Sequence, residues 1–114
     1  MTGLPLLDTA AVDEARAVFK ARFPVMAGYY FEDAAGYVAN IRQALSAGNV
    51  QAVVTPAHTL KSSSRQMGAS GVRELAAEIE TGARDAGHGL DWFVRHLAQL
   101  EKVFEQTRAA YPAE

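Results

Sequence analysis

Five stretches of this 114-residue chain repeat apolar residues every three or four positions, and glycine or proline marks each break between them. That spacing is the period of an α-helix with one buried stripe. No segment alternates apolar and polar residues at period two with β-branched enrichment, so no strands are expected. Asp8 or Thr9 caps the first stretch, which carries Val12, Ala15, Val18 and Phe19 on one stripe. Pro24 opens the second, where a missing N–H costs nothing. Its stripe is Met26, Tyr30, Ala34, Tyr37, Val38, Ile41 and Leu45, and Gly48-Asn49 ends it.

The third stretch covers roughly Val50 to Gln66, with Val50, Val53, Ala57, Leu60 and Ser64 inward. Pro56 lies inside it. Either the helix kinks there, or it restarts with Thr55 as cap and Pro56 in the first turn. Gly68 marks a turn and Ser70 is a candidate cap for the fourth helix, which aligns Val72, Leu75, Ala76, Ile79 and Ala83. Ala86-Gly87-His88-Gly89 breaks the chain again. The last helix places Leu90, Phe93, Val94, Leu97, Leu100, Phe104, Thr107 and Tyr111 at heptad-like spacing, and Pro112 ends it. Short connections between long amphipathic helices make neighbours antiparallel. The predicted fold class is all-α: an antiparallel up-down-up-down four-helix bundle, with an additional short N-terminal helix across one end. The length suits a single domain, 1–114, whose core hairpin spans about 50–86.

Composition narrows the function. The net charge of −2 lacks the basic excess of a general nucleic-acid binder. There is no cysteine, which removes disulfides, thiolate metal sites and a cysteine nucleophile. No apolar run is long enough to span a membrane, and the N-terminus does not read as a signal peptide, so a cytoplasmic location is expected. His58, His88 and His96 show no metal-ligand spacing, and no metal or other cofactor is expected on this chain.

The segment Ala57–Glu80 concentrates the chemistry. Leu60 lies two residues after His58, about 200° around a helix of ~3.6 residues per turn. If Leu60 is core, His58 faces solvent, with Thr55, Ser62 and Arg65 on the same face and Val54 at its edge. A neutral imidazole offers a nucleophilic ring nitrogen at neutral pH. Lys61, one turn on, can neutralise a phosphate on that ring. Ser62 is small and leaves room for an incoming partner. Arg65, two turns on, adds positive potential. Folding the chain back at Gly68-Ala69 sets Glu80 opposite His58. A carboxylate there accepts one ring N–H, fixes the tautomer and frees the other nitrogen. Arg84, one turn beyond, can reach the same phosphate.

These residues resemble the histidine-containing phosphotransfer (HPt) domains of two-component phosphorelays. The family motif is close to A-H-x-L-K-G-x-x-x-x-x-G-A, and here it reads Ala57-His58-Thr59-Leu60-Lys61, then Ser62, with Gly68-Ala69 at the expected distance. Serine replaces the usual glycine at position 62. The resemblance implies His58 as phosphoacceptor, Lys61 as phosphate partner and Gly68 as the hairpin turn. In some members a carboxylate on the next helix orients the histidine, and Glu80 falls there. Implied partners are response-regulator receiver domains, a hybrid histidine kinase, or both, with Mg²⁺ on the receiver. A monomer without nucleic-acid or membrane contacts is expected.

The function expected on this reading is a phosphorelay intermediate. It passes a phosphoryl group between receiver aspartates through phosphohistidine and has no kinase activity of its own, since neither a P-loop nor a kinase glycine-rich box is present. The competing class is a helical interaction module that binds receivers or other signalling proteins without carrying phosphate. A hydrolase built on Ser62–Ser64 lacks a nucleophile elbow and an oxyanion hole. His88, His96 and Trp92 read as structural or solvent-exposed, and Tyr29, Tyr30 and Tyr37 as bundle core and rim.

Overall fold

Asp8 begins the first helix: its side chain accepts the Ala11 N–H at 3.2 Å, satisfying one of the donors a helix start leaves bare. In the computed structural model, which describes residues 5–112, α1 spans Thr9–Phe19 and a short 3₁₀ turn leads into α2, Phe23–Ser46. Pro24 occupies the first turn of α2, as its fixed φ favours. Asn49 then caps a 3₁₀ turn, Val50–Val53, by accepting the Ala52 N–H at 3.2 Å. The chain passes from that turn directly into α3, Val54–Gln66, with Val53 already helical. Pro56 is therefore the third residue of α3, and Thr55 is not its cap. The remaining helices are α4, Ser70–Asp85, and α5, Leu90–Ala110.

Helices α2 to α5 form the up-down-up-down bundle. Each packs on the next and α5 closes against α2, while no strand occurs among the described residues. The α3–α4 hairpin is the most extensive pairing. Phe23, Ile41, Leu60, Leu75, Ile79, Phe93 and Leu100 are fully buried, each contributing about 1.5–3 kcal/mol through removal of apolar surface from water. A polar contact also crosses this core. Tyr30 and Ser64 share a 2.6 Å hydrogen bond that ties α2 to α3. Burial pushes the Tyr30 phenol up to about 12, against the opposing effect of the Ser64 bond, so it stays neutral.

Helix α1 lies across the end of the bundle where α3 turns into α4. There Asp8 N–H donates to the Gly68 carbonyl at 2.8 Å and Arg16 donates to the Pro112 carbonyl at 2.7 Å. Gly68 has φ +76°, and a Cβ on it would stand 2.9 Å from both the Asp8 carbonyl oxygen and the Val12 nitrogen. Only glycine permits that turn and that approach together.

Several sequence expectations shift in detail. Ser70 is the first residue of α4, not its cap: Ala69 holds the cap position and the Ser70 hydroxyl donates to the Pro5 carbonyl. Val18, Tyr29 and Val94 are exposed, because each neighbours a residue that takes the inward place (Phe19, Tyr30 and Phe93) and one residue is a 100° rotation. Leu90 keeps the register of Phe93 but begins α5, where the bundle ends, and is also exposed.

Candidate functional site

His58 sits on the outward face of α3, because Ala57 and Leu60 occupy the inward positions with no exposed surface. Its side chain is 54% exposed. Across the hairpin, α4 carries Val72, Ala76 and Glu80 along one i, i+4 row. That row faces the core, so Glu80 is drawn inward and its side chain is only 7% exposed. His58 Nδ1 and Glu80 Oε2 lie 3.0 Å apart. An ionised carboxylate only accepts, so Nδ1–H is the donor, and when the ring is neutral Nε2 keeps its lone pair free.

Two cations converge on the same carboxylate. Arg84, one turn further on α4, donates to Oε2 from both Nε at 3.0 Å and Nη2 at 2.9 Å. Lys61 Nζ approaches the other oxygen, Oε1, at 2.7 Å. That contact is an ion pair by distance but lacks hydrogen-bond alignment, so Oε1 is buried without a hydrogen-bond partner. The electrostatic competition is clear. Burial pushes the Glu80 carboxyl up, while Lys61, Arg84 and His58 together outweigh that effect and hold it down at about 2. Glu80 is thus ionised at neutral pH although buried. With the ring neutral, Lys61 and Arg84 against Glu80 leave the cluster one positive charge in excess. The excess is gathered on the carboxylate that holds the ring, an arrangement suited to an incoming anion.

The structure thus brings together four of the residues singled out in the sequence: His58, Lys61, Glu80 and Arg84. Gly68 supplies the hairpin turn that sets their register. Ser62 is exposed one turn from His58 and presents no bulk above the ring. Arg65 is exposed and joins neither the hydrogen bonds nor the ion pairs of the cluster; with Lys61, Ser62 and Arg73 it lines a shallow groove between α3 and α4. Ser64 is fully buried and bonded to Tyr30, which removes it as a nucleophile.

Sequence reading did not foresee how the other two histidines are used. His88 and His96 sandwich Trp92, with ring centroids 3.9 and 3.8 Å away. His96 Nδ1–H donates to the Trp92 carbonyl at 2.8 Å, and its Nε2 faces Glu78 at 3.5 Å. The indole edge seats on Gly82, where a Cβ would come within 2.6 Å of it. The i, i+4 spacing of Trp92 and His96 was a readable signal. His88 reaches the stack only through the loop, which turns at a left-handed Ala86. No group of histidine and acidic side chains able to hold a metal occurs among the described residues.

With this geometry in hand, three comparisons bear on the chain. The family model described as the Hpt domain matches residues 25–110. A crystal structure of histidine-containing phosphotransfer protein B from Pseudomonas aeruginosa PAO1 matches with a TM-score of 0.86 at 27% identity, covering 94% of this chain and 91% of that one. No curated protein gives a match.

Proposed function

The chain belongs to the Hpt domain family, and on that premise we propose that it relays a phosphoryl group between receiver-domain aspartates through a phosphohistidine at His58. The observation that carries this reading is the His58 ring itself. One nitrogen is held by a buried carboxylate, and the other is free on an exposed face. In the proposed step the Nε2 lone pair forms a bond to phosphorus as the bond from phosphorus to the aspartate oxygen breaks. The aspartate leaves as a carboxylate. Positive charge develops on the ring, and the Nδ1–H···Oε2 bond to Glu80 stabilises it without moving the proton. Reversing the step delivers the group to a second receiver.

The chain supplies a positioned nucleophile and local positive charge, which suits a reaction governed by alignment and charge neutralisation. Lys61 is the phosphate partner. Arg65 contributes potential from outside the hydrogen-bonded cluster, and the small Ser62 leaves the approach open. Mg²⁺ acts on the receiver. The partners are receiver domains, a hybrid histidine kinase, or both. The protein works in the cytoplasm as a monomer, with residues 1–114 acting as one unit.

The test is phosphotransfer from a panel of phosphorylated receivers, read by intact mass. We expect a gain of one phosphoryl group that is acid-labile, base-stable and absent in His58→Gln. A His58→Gln protein that still accepts phosphate would overturn the mechanism. Binding to receivers with no phosphorylated form would favour the interaction module instead.

A further inference from the structure

Glu80 holds its two cations in different ways. Arg84 stands one turn along the same helix and donates to Oε2 from both Nε and Nη2, at 3.0 and 2.9 Å. Lys61 comes from α3 and reaches the other oxygen, Oε1, at 2.7 Å, without the alignment of a hydrogen bond. His58 shares Oε2 with Arg84 and lies three residues before Lys61 on α3. We propose that the two cations divide their work: Arg84 is a positioning residue, the fixed counter-ion of Glu80, and it releases Lys61 to move from Oε1 to the phosphoryl group when His58 is loaded. The loaded state itself rests on the relay reading.

Both halves follow from side-chain chemistry. A planar guanidinium that sets two N–H groups on one oxygen is pre-organised, whereas an ammonium on a four-carbon stem turns readily to a new acceptor. Lys61 is 35% exposed and one turn from the exposed ring, so its head can reach the solvent side of the cluster. A buried carboxylate left without a counter-ion is costly. If Lys61 were the sole cation on Glu80, moving it to a phosphate would incur that cost. With Arg84 in place, Oε2 stays paired, and Lys61 exchanges a poorly aligned contact for a charge-assisted bond to a phosphoryl oxygen. Nδ1–H of the ring stays on Oε2 throughout, so the exchange leaves the anchor of His58 undisturbed.

The experiment has two arms. The first needs no phosphate: urea unfolding at neutral pH of wild type, Lys61→Gln, Arg84→Gln and the double variant. While Arg84 remains, Lys61→Gln should lower the folding equilibrium constant by about twofold or less. In the Arg84→Gln background the same change should lower it about tenfold, because the last cation on Glu80 is lost. Equal losses in the two backgrounds would overturn the proposal. The second arm follows the Lys61 side chain by NMR of lysine-labelled protein, with Lys20 and Lys102 as controls. The phosphoryl group is added with phosphoramidate, a chemical donor that needs no receiver, and His58→Gln treated alike isolates the change that depends on His58. The Lys61 signal should shift on loading in wild type, shift about half as far or less in Arg84→Gln, and recover in Arg84→Lys, which keeps the charge. A Lys61 signal that ignores loading, or that responds equally in Arg84→Gln, would also overturn the proposal. Should phosphoramidate leave His58 unloaded, the first arm alone decides. A protein that shows these shifts yet accepts nothing from any receiver would count against the relay reading alone.

Discussion

Helix α4 has a histidine cluster on each side, and the two are built to opposite ends. Toward α3 it offers Glu80, a buried charge that holds one nitrogen of an exposed imidazole and leaves the other free. Toward α5 it offers Gly82, a missing side chain that lets Trp92 settle between His88 and His96. In the first cluster the energetics are ionic and the ring is open to a partner. In the second they are stacking and shape, and the His96 nitrogens are turned to a backbone carbonyl and to Glu78. Exposure alone does not separate a reactive histidine from a structural one, since His88 is exposed too. One nitrogen pinned, the other free and positive charge nearby do separate them.

That contrast can be broken at several points. The largest effect on stability should come from the turn that sets the hairpin register. Gly68→Ala forces a side chain into a left-handed conformation and onto the backbone of Asp8 and Val12, and should cost about 3–4 kcal/mol in urea unfolding. Glu80→Gln should cost up to about 3 kcal/mol at pH 7. The sign follows from the carboxyl being lowered from 4.5 to about 2 on folding. Its stabilisation is complete above the unfolded value, fades as pH falls from 4.5 and is gone below about 2, so wild type and Glu80→Gln should converge in stability across that window. The same variant should slow phosphotransfer, because the ring loses its tautomer lock.

On the other side of α4, Gly82→Ala should displace the indole at a cost of ~1–2 kcal/mol and change Trp92 fluorescence. Its phosphotransfer rate should stay within roughly twofold of wild type, because the two clusters share no hydrogen bond. Loss of transfer in Gly82→Ala would show that the clusters are coupled. The smallest effect is expected for Val94→Ser, within about 0.5 kcal/mol, since half of that side chain already faces water.

Much of this was legible in the sequence. The inward rows of α3 and α4 appear where periodicity puts them, and reflecting the chain about Gly68-Ala69 places Glu80 against His58. Periodicity identifies which residues are apolar on a helix, but not which of two adjacent ones faces inward where an element ends or packs on one side only. Val18, Leu90 and Val94 are misjudged for that reason. The commitment of Lys61 and Arg84 to Glu80 was hidden because pairing across a hairpin depends on side-chain reach and burial. Its signal was the i, i+4 row of Val72, Ala76 and Glu80, which carries an acid onto the buried face. The aromatic stack depended on a loop conformation that no spacing encodes.

The measurement that reaches the central claim most directly is the nitrogen-resolved NMR spectrum of histidine-labelled protein before and after phosphorylation. The account predicts a proton on Nδ1 of His58, and then a phosphoryl group on Nε2 of that ring while Nδ1 still faces Glu80. A phosphoryl group on Nδ1 of His58, or on His88 or His96, would contradict it.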